Sequence, residues 1–323
     1  MSTPLGGLCS LFSKFPSVQS SSLPAAPYEA PDVQFMSDLH LEIANQYTTF
    51  AFSPTAPFLI LAGDIGCLIK YDLYLAFLSS FVSRYDKVFL VLGNHEFYGL
   101  SYDQGLSIAH NMVKEECLAD KVVLLHKTRW DEPSSNLTIL GCTLWSFVPK
   151  EDQDLVKMYI NDFQRIAGWT PEQHSRMHRG EEAWLRGQVA QIRAENAEVV
   201  SNNSHNLNNK KTARVILVAT HYAPFVKGCS APEHESNPWA CAFSTDLLDS
   251  KSGKKTWRGV NTWIFGHTHW STSIVSRETG VRLIANQRGY VFPSVGDNGV
   301  GLSSKEDKAG VRFDTAMTVR ACV

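Results

Sequence analysis

Five short apolar runs punctuate the chain, and each closes on polar residues. Val33-Gln34-Phe35-Met36 ends in Ser37-Asp38-Leu39-His40, and Phe58-Leu59-Ile60-Leu61-Ala62 ends in Gly63-Asp64-Ile65-Gly66. Val88-Phe89-Leu90-Val91-Leu92 ends in Gly93-Asn94-His95-Glu96, and Val215-Ile216-Leu217-Val218 leads to Thr220-His221-Tyr222. The last run, Val260 to Phe265, leads to Gly266-His267-Thr268-His269. Runs that are apolar throughout predict strands covered on both faces. Between the second and third runs, Leu73, Phe77, Leu78 and Phe81 recur at helical spacing, which predicts an amphipathic helix over about Tyr71 to Arg84. Strands alternating with helices, with polar residues just past the strand ends, predict an α/β fold whose site lies at the carboxyl edge of its strands.

The rest of the chain fills in around these runs. Val122 to Leu125 and Leu137 to Leu140 read as further strands. A polar helical insertion is expected over about 151–200, with Thr170 as a cap, Pro171 in the first turn, and Trp184, Leu185, Val189 and Ile192 as its packing stripe. The Asn-dense stretch Ser201 to Lys211 reads as a surface loop. The irregular segment of about 225–258 is long enough to be a lid or binding loop. Ser273 to Val275 and Val281 to Ala285 alternate across Glu278-Thr279-Gly280 and predict a hairpin. Residues 1–30, rich in Ser, Pro and Ala, read as a disordered or loosely packed tail. With no linker in the middle of the chain, 31–323 reads as one domain.

Composition mainly excludes. A chain of 323 residues with 44% hydrophobic content can bury a large core. A net charge of -2 leaves no basic footprint for nucleic acid and no polybasic membrane patch. No apolar run approaches the ~20 residues of a membrane helix. Seven scattered cysteines without a Cys-x-x-Cys pattern point to reduced thiols rather than a disulfide framework. Together with a start too poor in basic residues for a targeting segment, this predicts a cytoplasmic protein.

The strand ends supply the chemistry. Carboxylate, carboxamide and imidazole from Asp38, His40, Asp64, Asn94, His221, His267 and His269 suit divalent ions such as Mn, Fe or Zn. A structural zinc site would draw on cysteine instead. The ligands are too many for one ion and about enough for two. In extended backbone His267 and His269, two residues apart, would project from the same face.

Asp38-x-His40, Gly63-Asp64, Gly93-Asn94-His95-Glu96, His221 and Gly266-His267-x-His269 resemble the five ordered motifs of the calcineurin-like metallophosphoesterase superfamily, over residues 33 to about 290. The chain also resembles a subgroup of small fungal and bacterial members that end in a segment like Asn286-Gln287-Arg288-Gly289-Tyr290. The resemblance implies a four-layer αββα sandwich, two mixed β-sheets flanked by helices. It implies that Asp38, His40 and His269 hold one ion, that Asn94, His221 and His267 hold a second, and that Asp64 bridges them. His95 resembles the family's non-ligand catalytic histidine, which meets the leaving group. The implied reaction is hydrolysis of a small-molecule phosphomonoester or phosphodiester by a hydroxide bridging the ions. Two alternatives stay open: the same fold used as a protein-binding module, or a dimetal hydrolase of a non-phosphate bond.

Outside the motifs, Arg288 suits a phosphate oxygen. Tyr98 could line the pocket or simply pack, and His234 in the lid segment could touch substrate. Asn161-Asp162-Phe163 either caps a helix or reaches over the metals. Glu96 adjoins His95 in sequence, which does not establish contact, so the acidic partner of His95 is left open.

Overall fold

Along each core strand, successive side chains face opposite ways, and this sorts the fold into layers. The computed structural model describes residues 30–205, 212–248, 251–296, 299–304 and 311–321. The expected N-terminal tail lies outside them, apart from Ala30. Strands β1 (Asp32–Met36), β2 (Phe58–Ala62), β3 (Lys87–Val91) and β4 (Val122–Leu124) pair in parallel. A second sheet has the order β5 (Thr128–Asp131), β6 (Leu137–Cys142), β7 (Val215–Thr220), β8 (Val260–Ile264), then β10 (Arg282–Ala285) and β9 (Thr272–Val275). In it β6, β7, β8 and β10 run parallel, and the strands at both edges are antiparallel. Strands β11 (Val291–Gly296) and β12 (Gly299–Ser304) form a separate ribbon, and β13 (Thr318–Arg320) closes the first sheet antiparallel to β1. The expected hairpin is β9 and β10, turning at Gly280.

One face of each sheet meets the other sheet. Phe58, Ile60 and Ala62 of β2 and Phe89 and Val91 of β3 pack with Leu217 and Ala219 of β7 and Ile264 of β8. The opposite faces take helices. Leu59, Leu61 and Leu90 receive Tyr74, Phe77, Leu78 and Phe81 of α1 (Tyr71–Phe81) and Ala109 and Met112 of α2 (Tyr102–Met112). The insertion comprises α3 (Gln153–Tyr159), α4 (Asp162–Arg165) and α5 (Pro171–His205). Leu185, Val189 and Ile192 of α5 pack on Ile216, Val218 and Trp263, so the stripe is core. A short α6 (Lys251–Thr256) precedes β8. Two mixed sheets flanked by helices is the expected class. Each fully buried side chain of this kind stabilises the fold by roughly 1.5–3 kcal/mol relative to exposure.

Two boundaries differ from expectation. Helix α5 runs on to His205, so Ser201 to His205 continue the helix instead of opening a loop. No Gly or Pro interrupts there, and adding residues to an existing helix is easier than starting one. Residues 206–211 lie outside the described part. Helix α2 was not anticipated, although its start is written as Ser101-x-x-Gln104. Ser101 Oγ accepts from the Gln104 amide while Gln104 Oε1 accepts from the Ser101 amide, a reciprocal cap.

Candidate metal centre

The carboxyl ends of β1, β2 and β3 from one sheet and β7 and β8 from the other open onto one place. The chain turns there with unusual backbone. Asp38, His40, Asp64, His267 and His269 all have positive φ, between 48° and 71°. Left-handed conformations cost non-glycine residues about 1–3 kcal/mol each, so the surrounding fold must impose them. This corrects the reasoning for the histidine pair. Strand β8 stops at Ile264, so His267 and His269 are not on extended backbone and converge through two left-handed turns. Glycine clears the floor: a Cβ on Gly93 would lie 2.2 Å from Asp64 Oδ1, where any larger residue would fill the cradle.

Side chains from distant positions then meet. His40 Nε2 lies 2.9 Å from His269 Nε2, and His269 Nε2 lies 3.5 Å from Asp38 Oδ1. On the other side, His221 Nδ1 donates to the Ala62 carbonyl at 2.9 Å, which leaves Nε2 facing inward. That nitrogen lies 3.0 Å from Asn94 Oδ1, 3.4 Å from Asp64 Oδ1 and 3.2 Å from His267 Nδ1. Asp64 sits between the groups, with Oδ2 3.9 Å from both His40 Nε2 and His95 Nε2. Asp38, His40 and His269, and separately Asp64, His221 and His267, bring ligand atoms within 4.8 Å of one another, close enough to hold a metal ion.

The electrostatics fit a cation. Carboxamide, carboxylate and imidazole groups converge there. Burial lowers the pKa of His40 and His267, favouring the neutral imidazole that binds metal. Burial opposes charge on His221 too, yet Asp64 outweighs it and raises the pKa to about 9. A proton there answers the same negative field that a divalent ion would. Oxygen and imidazole donors without thiolate suit Mn, Fe or Zn.

Three further carboxylates hold these side chains in place. Asp162, at the start of α4, accepts from Asn94 Nδ2 at 2.8 Å and Tyr98 Oη at 2.7 Å through Oδ1, and from Tyr222 Oη at 3.0 Å through Oδ2. With its amide nitrogen engaged, Asn94 turns its oxygen toward His221. Glu96 accepts from the backbone amides of Asp64 (2.9 Å), Ile65 (2.8 Å), Gly66 (3.4 Å) and Gly93 (2.6 Å), and from Tyr74 Oη (3.0 Å). It ties the loop after β2 to the loop after β3 and makes no bond to His95.

The partner of His95 is Glu42, whose Oε1 accepts from His95 Nδ1 at 2.8 Å and lies 3.3 Å from His40 Nδ1. Burial opposes ionisation of Glu42, but the two histidines hold its carboxyl down to about 2. Burial likewise works against charge on His95, and Asp64 and Glu42 overcome it to raise the pKa to about 9. Glu42 continues the alternate spacing of Asp38 and His40, and that spacing is the sequence signal that points to it. Asp162 belongs to the triplet considered above for this place.

The remaining candidates line a cleft of about 1400 Å³ over the centre. Tyr98 packs at a tilt against His95, with ring centroids 4.2 Å apart. His234, Trp239 and Phe243 from the segment after β7 line the cleft, as do Asn161 and Asp162 from the insertion. Arg288 is on the cleft, but its guanidinium donates to the Leu39 carbonyl (3.1 Å) and Gln46 Oε1 (2.7 Å) and lies over Phe50. It braces the loop that carries His40, and a phosphate oxygen would have to share it with those partners.

Comparisons with known proteins find relatives in sequence and among solved structures. The chain is 23% identical over 276 residues to the uncharacterized protein L509 of Acanthamoeba polyphaga mimivirus, covering 80% of this chain and 91% of that one. Solved structures that it resembles include a putative 5'-nucleotidase from Staphylococcus aureus (15% identity, TM-score 0.34, covering 89% of this chain and 55% of that chain). Another is a 5'-nucleotidase from Candida albicans (13% identity, TM-score 0.40, covering 81% and 46%). The chain therefore spans about half the length of those two structures. Among the described residues no helix is long and apolar enough to cross a membrane. The sequence model of the calcineurin-like phosphoesterases matches residues 33–271, a span that contains all the clustered histidines and carboxylates, and the chain accordingly belongs to that family of metal-dependent phosphoric ester hydrolases.

Proposed function

We propose that this protein hydrolyses a small phosphate ester, mono- or diester, at a centre of two divalent ions, Mn, Fe or Zn. Asp38, His40 and His269 would hold the first, Asn94, His221 and His267 the second, and Asp64 both. The single observation that carries this reading is the convergence of seven such side chains, from five strand ends, with Asp64 between two clusters. A pair of divalent ions supplies Lewis acidity toward phosphoryl oxygens and a water of lowered pKa. The chain's own groups do the rest. Glu42 orients the His95 ring and keeps it charged, so that Nε2 can give a proton to the departing oxygen. Tyr98 and Tyr290 flank that ring and bound the space the leaving group enters. The cleft walls, drawn from the lid segment and the insertion, select the alcohol portion of a small substrate. We read 31–323 as one working unit, and the five described cysteines, all free, support a reducing compartment such as the cytoplasm.

The test compares an aryl phosphate with its bis-aryl diester. Protein reloaded with Mn, Fe or Zn should hydrolyse at least one of them, lose that activity to a chelator and regain it on metal addition. Loaded protein that cleaves neither would contradict the proposed reaction.

A further inference from the structure

Tyr290 is the last residue of the Asn286–Tyr290 segment, just past β10 and just before the β11–β12 ribbon. It belongs to none of the five motifs, yet its side chain enters the centre. Its hydroxyl lies 3.2 Å from His95 Nε2. Its ring lies 4.4 Å from that of His40 and 4.6 Å from that of His269, edge to face with the latter. The backbone on either side is anchored. Arg288 N donates to the Ser37 carbonyl, Gln287 N donates to Ser271 Oγ, and Gln46 Nε2 donates to the Val291 carbonyl. Tyr290 is therefore held over the metal ligands and is not a stray surface ring.

The hydroxyl occupies a particular place. His95 has two ring nitrogens, and Glu42 takes Nδ1, so Nε2 is the one left to meet a substrate. In the free protein its neighbour is Tyr290 Oη. Resting on the phosphoesterase reading above, we propose that Tyr290 is a catalytic residue that, with His95, hydrogen-bonds the leaving-group oxygen and so sets which leaving groups the enzyme tolerates. In the step itself the bond between phosphorus and the leaving oxygen breaks as the water oxygen bonds to phosphorus. The proton on the departing oxygen comes from His95, and the water's proton passes to solvent. Tyr290 keeps its own proton and donates a hydrogen bond only. Such a bond matters most when the departing oxygen carries the most charge, as with a strongly basic alkoxide. It matters least for a leaving group that is stable as an anion.

The test is Tyr290→Phe, which removes one oxygen and keeps the ring. Metal-loaded wild type and variant are compared on aryl phosphates of graded phenol pKa and on an alkyl phosphate, with metal content measured in both. Tyr290→Phe should lower kcat about tenfold or more on the alkyl ester and less than about twofold on the nitrophenyl ester, at equal metal content. A uniform loss across the series, or no loss, overturns the assignment to Tyr290 and leaves the phosphoesterase reading standing. A wild type inactive on every ester overturns that reading and this one with it. A readout free of turnover is the ring 15N spectrum of His95. Its Nε2 signal should move in Tyr290→Phe, and an unchanged signal also overturns the assignment.

Discussion

Changing His95 to alanine lowers kcat by about 10²–10⁴-fold, the usual contribution of a positioned proton donor, while the metal content stays at the wild-type level. The expectation follows from what each ring nitrogen touches. Nδ1 is engaged by Glu42 and Nε2 faces the cleft beside Tyr290, so the imidazole can be removed without opening either ligand cluster. The pH profile carries a second signature. A proton donor must be charged to act, and Asp64 and Glu42 raise the pKa of His95 in the metal-free protein, so activity should fall on the basic side as His95 loses its proton. Glu42→Gln removes one of the charges that raise it, and the basic limb should then move toward neutral pH. Loss of metal from His95→Ala would mean that His95 is itself a ligand. Asp64, His40 and His95 do form a third group close enough to hold an ion, so the outcome is informative.

Glu96→Ala is expected to be the most destabilising single change near the site. The side chain is fully buried and its two oxygens accept from four backbone amides and a tyrosine hydroxyl. Truncation leaves those donors without a partner in a place water cannot easily reach. Each such group costs about 1–3 kcal/mol, so the loss should be on the order of 4 kcal/mol or more. The variant should also bind metal poorly, because Glu96 fixes the loop that aims Asp64. Urea denaturation of the metal-free proteins measures the first effect, and metal titration measures the second. A change below about 1 kcal/mol would mean that water replaces the carboxylate, contrary to its enclosure.

The side chains proposed as ligands were easier to read in the sequence than the groups that aim them, and the reason is physical. Asp64 and Asn94 follow apolar strands directly, so their place at a sheet edge is a local property of the chain. The same holds for His221 after β7. Asp162 depends on how the insertion folds back across more than sixty residues to reach Asn94 and Tyr98, and no local pattern states that distance. Glu42 is intermediate: its spacing from His40 is visible, but its choice of His95 depends on the left-handed turns at Asp38 and His40. The sandwich itself was legible because doubly covered strands are apolar on both faces. The edge strands β5 and β13 were not, being short and partly exposed. Tyr290 lay inside a quoted segment, but long-range contacts, among them the pairing of β10 with β8 and the bridge from Ser37 to Gln287, carry it to the centre.

The whole account rests on two neighbouring cations sharing Asp64. A crystal structure of manganese- or zinc-loaded protein, with anomalous scattering recorded at the absorption edge, addresses that directly. The account predicts two peaks about 3.5–4 Å apart, one within bonding distance of Asp38, His40 and His269, the other of Asn94, His221 and His267, and Asp64 touching both. A single peak, or ions bound away from Asp64 in protein that still hydrolyses the ester, would contradict it.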